Sequence, residues 1–235
     1  MSWLIWKEYR HNRLIMIVGL VLLVFPYVVA VAIGWITALF APELRGELPP
    51  WTLRMLGAAL YSMALGQLTL GLLGGNAIAG ERVDRSAEFL AYLPLSKARI
   101  LSAKIALAAA TAAVIWLLNF VVLLALYAGF EEGATPRALG NAWSNFASIA
   151  TTGLLFFSVA WLLSSLLESP AVSVCVGLIT PFLVVTALVL LNLLLAYHGV
   201  DGRRWVFVSY YPVCLVLAAA SFAAGTWYFL RRVEP

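Results

Sequence analysis

The stretch LIMIVGLVLLVFPYVVAVAIGWITALF, residues Leu14–Phe40, decides the fold of this chain. It is 27 residues long and contains no Asp, Glu, Lys or Arg. An α-helix rises about 1.5 Å per residue, so roughly 20 such residues cross the hydrocarbon of a bilayer. The apolar core of a signal peptide has only about 7–15 residues, so we expect this stretch to be a retained transmembrane helix.

Five further stretches are equally apolar and equally free of charge. Membrane-spanning strands would instead show weak alternation over about ten residues. The sequence therefore predicts an all-α, polytopic membrane protein with six transmembrane helices in a single domain, residues 1–235. The other five spans are Met55–Gly80, Ile105–Phe130, Phe146–Leu167, Ala171–Tyr197 and Val213–Leu230.

The composition of the whole chain agrees with lipid as its solvent. Hydrophobic residues make up 63% and charged residues 11%, with a mean hydropathy of +0.96. A soluble domain is nearer half apolar and a quarter charged. The net charge of +4 could suggest nucleic acid, but Lys and Arg concentrate in the cytoplasmic loops of membrane proteins. We therefore expect no nucleic-acid partner.

The positive charges also predict the orientation of the chain. Both termini are expected in the cytoplasm, because this topology places ten Lys and Arg residues inside and five outside. The inside set is Lys7, Arg10, Arg13, Arg82, Arg85, Lys97, Arg99, Lys104, Arg231 and Arg232, and the outside set is Arg45, Arg54, Arg137, Arg203 and Arg204.

Two segments at the membrane surface admit two interpretations each. Residues 1–13 place Trp3, Trp6 and Tyr9 on one stripe, which predicts an amphipathic helix in the cytoplasmic interface, or else an early start of the first span. Residues 198–212 form an unusually apolar outer segment. It is either partly re-entrant, or the beginning of one long last helix kinked at Pro212.

Small residues recur four apart on the second span, at Gly71, Gly75 and Ala79. Such a ladder lets helix backbones approach closely. We expect it to serve helix packing, with a dimer interface as one possible place.

The internal loop ERVDRSAEFLAYLPLSKARILSAK, residues 81–104, holds much of the chain's charge. Asp84 and Ser96 are suited to cap two short helices, and Pro94 would end the first. The second would continue into the third span. So short a helix needs a partner surface, and both charge signs beside Phe89 and Leu90 favour a protein over lipid headgroups.

This loop resembles that of permeases of the ABC type-2 transporter family. The resemblance is carried by Glu81-Arg82, by Glu88-Phe89-Leu90, by Leu93-Pro94-Leu95-Ser96, by the basic pair Lys97 and Arg99, and by Lys104. The six-span layout, the N-terminal WKEYR and the aromatic outer segment are also similar. The resemblance covers the whole chain in layout and about 24 residues in motif.

The resemblance implies a membrane subunit of an ATP-driven exporter in a bacterial inner membrane. The loop would be a coupling helix that docks on a separate P-loop ATPase subunit, and substrate would pass between this chain and a second permease chain, as a homodimer. This chain has no G-x-x-x-x-G-K-[ST], so ATP and Mg are expected on the partner, with no cofactor and no catalysis here. The implied docking residues are Glu81, Arg82, Asp84, Arg85, Glu88, Phe89 and Leu90, with Glu168 in a second contact, LLESPA.

Other functions are less favoured by the residues. An intramembrane enzyme would need a nucleophile beside a base, but His11 and His198 are expected on opposite sides of the membrane. Cys175 and Cys214 are expected at different depths, which argues against a disulfide or a shared metal. A membrane scaffold without transport activity is a further alternative.

A secondary transporter acting alone remains the main alternative. Polar Asn76, Asn119 and Asn192 could line its pathway, although such residues more often bridge helices. Proton or sodium coupling usually needs ionisable groups inside the membrane, and the predicted spans have none.

Overall fold

A computed structural model describes residues 2–40, 50–84, 96–130, 136–198 and 203–232 of the chain. Within these residues every regular element is an α-helix, which confirms the predicted fold class. The helices are α1 (Ser2–His11), α2 (Arg13–Phe40), α3 (Trp51–Asn76), α4 (Ala79–Val83), α5 (Lys97–Phe130), α6 (Pro136–Leu166), α7 (Pro170–Tyr197) and α8 (Arg203–Arg232).

Six of these helices are long and apolar enough to cross a membrane, and they correspond in order to the six predicted spans. Several of their ends differ from the predictions. Residues 136–145 were predicted as an outer loop and are the first turns of α6, which begins with Pro136 at a position that suits its fixed φ. The second span ends at Asn76, four residues early, and a separate short helix α4 follows.

The two termini of the bundle lie at the same end. Phe229, near the end of α8, packs in one buried cluster with Ala77 and Ile78, which lead into α4, and with Ile100 of α5. Helix α1 packs against α5 at this same end. We call it the charged end, because Glu8, Glu81 and Lys104 are buried there. The last helix begins at Arg203 and continues through Pro212 to Arg232.

Helix α3 is the centre of the bundle and contacts α2, α5, α6 and α7. It can do so because its glycines carry no side chain at the contact points. A Cβ on Gly74 would lie 2.5 Å from the carbonyl oxygen of Phe157 in α6, and one on Gly75 would lie 3.0 Å from the backbone nitrogen of Val174 in α7. The predicted small-residue ladder therefore packs helices within this chain.

Helix α6 completes the core by packing against α3, α7 and α8. A Cβ on Gly177 of α7 would lie 3.1 Å from the backbone nitrogen of Ala160, and one on Gly225 of α8 would lie 2.9 Å from Cα of Leu162. Between these contacts Trp161 is fully buried, with its ring centroid 5.8 Å from that of Phe222.

Polar side chains connect the helices inside the bundle. The hydroxyl of Ser62 donates to the carbonyl oxygen of Leu23 at 2.6 Å, and the indole nitrogen of Trp116 donates to Oε1 of Gln67 at 3.1 Å. In lipid such bonds supply directional attraction that the hydrophobic effect does not supply between helices. By contrast, much of α2 and α7 is exposed and apolar, as at Phe25 and Phe182.

We predict that Gly74→Ala destabilises the bundle, because the added methyl group meets a backbone oxygen that cannot rotate away. The cost of such overpacking is about 1–3 kcal/mol. The measurement is the thermal unfolding midpoint of the purified protein in detergent. The matched control is Gly57→Ala on the same helix, where no described atom of another helix lies within 4 Å of the added carbon and alanine favours the helix. Equal midpoints for the two variants would contradict this account of α3.

Candidate coupling site at the charged end

Helix α1 has two different faces. Trp3, Trp6 and Tyr9 are exposed, and the rings of Trp6 and Tyr9 stack with centroids 5.7 Å apart. On the other face Leu4 and Glu8, four residues apart, are buried. Residues spaced by four lie on one side of a helix, so this face turns its only carboxylate towards α5.

The carboxylate of Glu8 meets the ammonium of Lys104 in the second turn of the long helix α5. Both oxygens of Glu8 lie 3.2 Å from Nζ of Lys104. Glu8 is 1% exposed and Lys104 is 4% exposed, so water has little access to either charge. A buried charge is tolerated when an opposite charge and hydrogen bonds compensate for its lost hydration.

Glu81 of α4 joins the same group. Its Oε2 lies 2.9 Å from Nζ of Lys104, and its Oε1 accepts a hydrogen bond from Nζ of Lys7. Lys7 also lies 3.5 Å from Oε1 of Glu8. We call Lys7, Glu8, Glu81 and Lys104 the four-charge cluster. Its two positive and two negative groups form a closed ring in which every charge faces opposite charges.

The cluster changes the acidity of Glu81. Burial by itself raises the pKa of this carboxyl group, but the positive charges of Lys104 and Lys7 and their hydrogen bonds outweigh burial. The pKa of Glu81 is therefore lower than its ordinary value, and the group is a carboxylate at neutral pH.

A second set of polar contacts lies beside the cluster. Nδ1 of His11 lies 3.1 Å from Oδ2 of Asp84, and its Nε2 lies 3.3 Å from Nδ2 of Asn76. Asn76 also donates to Oδ1 of Asn12 at 2.9 Å. Gly80 makes room for this group, since a Cβ there would overlap Oδ1 of Asn76. The end of α1 is thus bound to both sides of the break between α3 and α4.

The start of the internal loop is also held by α6. The hydroxyl of Ser164 accepts hydrogen bonds from the backbone nitrogens of Ile78 and Ala79, each at 2.9 Å. The guanidinium of Arg82 donates to the carbonyl oxygens of Ser165 at 2.9 Å and Leu167 at 3.4 Å. These bonds satisfy carbonyl groups at the end of a helix, which have no partner within it.

A family model described as ABC-2 family transporter protein matches residues 5–186. The chain belongs to this family. The match includes most of α1 and both segments predicted to contact an ATPase. Membership makes this ABC-2 chain a multi-pass membrane component of a transporter, and it implies association with an ATPase component. Comparisons with curated proteins and with solved structures gave no match.

The residues predicted to dock an ATPase on the ABC-2 chain fall into three groups. Arg85, Glu88, Phe89 and Leu90 lie outside the described residues. Asp84 and Glu168 are exposed, and Arg82 is partly buried and bound to the segment that precedes Glu168. Arg82 thus brings the two predicted docking segments together. Glu81 is 4% exposed and its carboxylate contacts Lys7 and Lys104, so within this chain it has a structural partner.

The three asparagines proposed for a pathway have separate surroundings. Asn76 contacts His11 and Asn12 at the charged end, and Asn119 accepts from the hydroxyl of Tyr27 at 3.3 Å. Asn192 lies on α7, and its Oδ1 has no hydrogen-bond partner among the described residues. A cavity of about 450 Å³ lies between α5, α6 and α8, with walls that are almost entirely apolar. None of the three asparagines lines it.

Sequence reasoning missed the roles of Lys7, Glu8 and His11. Glu8 offered one signal, because it is the only acidic residue among the first 42 and stands among four basic or histidine residues. Lys104 was noticed as part of the family resemblance, but its partners are distant in sequence and could not be read from the pattern.

The lowered pKa of Glu81 gives a pH prediction. The carboxylate stabilises the fold fully above its unfolded pKa of about 4.3, and this contribution is lost as pH falls through the lower folded value. We expect the unfolding midpoint of the wild type to fall more steeply below pH ~4.3 than that of Glu81→Gln. The control Glu168→Gln changes an exposed carboxylate and should follow the wild type. Parallel curves for wild type and Glu81→Gln would contradict the ion-pair account.

Proposed function

We propose that this ABC-2 chain is the permease subunit of an ATP-driven exporter in a bacterial inner membrane. It docks a separate P-loop ATPase through residues 81–104, with Glu168 in a second contact. ATP and Mg bind the ATPase subunit, and this chain supplies the membrane path. Family membership supports the transport role, and it favours an ATP-driven subunit over a secondary transporter acting alone.

The observation that carries the docking proposal is the fixed base of the internal loop. Oε2 of its first residue, Glu81, lies 2.9 Å from Nζ of its last residue, Lys104, and both residues are buried. A loop whose two ends are held in this way can push on the helices to which it is joined, because force applied to it is not dissipated by free movement of its base. Helices α3 and α5 are those two helices.

The residues inside the candidate spans also favour energy supplied by a separate subunit. The middles of the six candidate spans carry no acidic or basic residue, so an ion gradient has no ionisable group there to act on. Work must then be delivered from outside the hydrocarbon. An ATPase bound to the charged end would deliver it next to the four-charge cluster.

We predict that Glu88→Lys combined with Phe89→Ala abolishes ATPase capture while the chain still folds. The reversed charge and the lost ring remove the proposed contact with the partner. The measurement is a tagged pull-down from native membranes in mild detergent, with mass spectrometry of the captured proteins. The matched control is Tyr197→Ala combined with His198→Glu, two exposed residues at the opposite end of the bundle.

The outcomes separate the function from the site. A wild-type chain that captures no P-loop ATPase, under conditions that preserve other membrane complexes, would overturn the proposed function. Full capture by the Glu88→Lys, Phe89→Ala variant would leave the function standing and remove the docking assignment.

The second permease chain is proposed to be another copy of this one. Large exposed side chains on α2 and α7, such as Phe25 and Phe182, need lipid or another protein around them. We predict that two copies with different tags, expressed together, purify as a complex in equal amounts. The measurement is native mass spectrometry of the doubly purified sample. A partner permease of different sequence in place of the second copy would show a heterodimer.

A further inference from the structure

The four-charge cluster joins three parts of the chain that are far apart in sequence. Lys104 links Glu81 of α4 to Glu8 of α1, and Lys7 links α1 back to Glu81. The residues concerned lie at positions 7–8, 81 and 104, so the ring closes across the start and end of the internal loop. Helix α1 therefore contacts both ends of that loop.

Burial makes the ion pairs of the four-charge cluster stronger than ion pairs at a protein surface. An exposed ion pair is worth little, because water and salt screen it. Here Glu8, Glu81 and Lys104 are each at most 4% exposed, so moving α1 away would take buried charges from the partners that replace their lost hydration. Helix α1 cannot leave the loop base without that penalty, although its aromatic face is free to contact lipid.

The neighbouring contacts oppose rotation of α1 about the cluster. His11 contacts Asp84 just beyond α4, and Asn12 contacts Asn76 at the end of α3. His11 and Asn12 follow Glu8 by about one helical turn. Because α1 is held at two successive turns, both its position and its direction are tied to the ends of the helices that it contacts.

We propose that Glu8 and Lys104 are positioning residues of the coupling site, and that α1 moves as one unit with the two ends of the internal loop, at Glu81 and Lys104. The N-terminal helix is then a working part of the transport machinery in addition to any role as an anchor in the membrane surface. This inference rests on the proposed function only for its consequence in transport. The mechanical link itself is a property of this chain.

The link is tested by hydrogen exchange on the purified chain in lipid nanodiscs, with no ATPase present. Glu8→Gln removes one charge at almost constant shape, and Lys104→Met removes the other. We expect amides of α1 to exchange at least about tenfold faster in both variants, with α6 and α8 unchanged, because lost charged hydrogen bonds lower the cost of local opening. The control Arg99→Met removes an exposed charge from the same helix as Lys104 and should leave α1 unchanged.

A rescue variant separates charge pairing from packing. Inverting all four charges, with Lys7→Glu, Glu8→Lys, Glu81→Lys and Lys104→Glu, keeps every pair opposite in sign. We expect it to restore most of the protection of α1, whereas Lys104→Glu alone places a third carboxylate in the cluster and should release α1. If α1 exchanges at the wild-type rate in Glu8→Gln and Lys104→Met while α6 and α8 remain protected, the proposal is overturned. If the amides of Lys104→Met exchange faster throughout the chain, that variant has lost its fold. The exchange of α1 in Glu8→Gln then decides whether the proposal holds.

The consequence for transport has its own test in the complete complex. We expect Glu8→Gln to capture the ATPase in the wild-type amount but to lose most of the change in ATP hydrolysis that the permease causes. A wild-type change in hydrolysis by this variant would overturn the role of α1 in coupling. If the wild-type chain captures no ATPase, the proposed function fails while the exchange result on the four-charge cluster still stands.

Discussion

The buried ammonium of Lys104 imposes the constraint on which the charged end of this bundle depends. It is almost without water, so it must be surrounded by carboxylates, and the carboxylates of Glu8 and Glu81 are at 3.2 Å and 2.9 Å. These two come from helices α1 and α4, which are far apart in the sequence. Satisfying one buried cation therefore fixes the N-terminal helix, the start of the internal loop and the beginning of α5 in one arrangement.

The interior of the bundle obeys a different rule. Lipid offers helices no hydrophobic reason to associate, so close backbone contact and hydrogen bonds must hold them together. The glycines of α3, α7 and α8 provide that contact, and pairs such as Trp116 with Gln67 provide the bonds. The protein thus has an apolar outer surface and closely packed helices at its centre. At the charged end, buried ion pairs hold its segments together.

The candidate site was only partly accessible to sequence reasoning. Charge density and the family resemblance led to the internal loop, and both ends of the loop, Glu81 and Lys104, belonged to the recognised motif. The inward direction of Glu81 was missed, because an acidic residue in a charged loop looks like a solvent-facing one. Glu8 was missed because its partner is 96 residues away, and no periodicity relates the two.

The sequence by itself determined the six spans, the all-α class and the family, because lipid solvation demands long uncharged helices and leaves a pattern in every segment. It also placed small residues where backbones would approach. Only the tertiary structure decided which helix each glycine faces, that residues 136–145 belong to α6, and that Lys7, Glu8, Glu81 and Lys104 share one site. Those outcomes depend on contacts between distant segments, and a local pattern carries no information about which distant charge will neutralise a buried one.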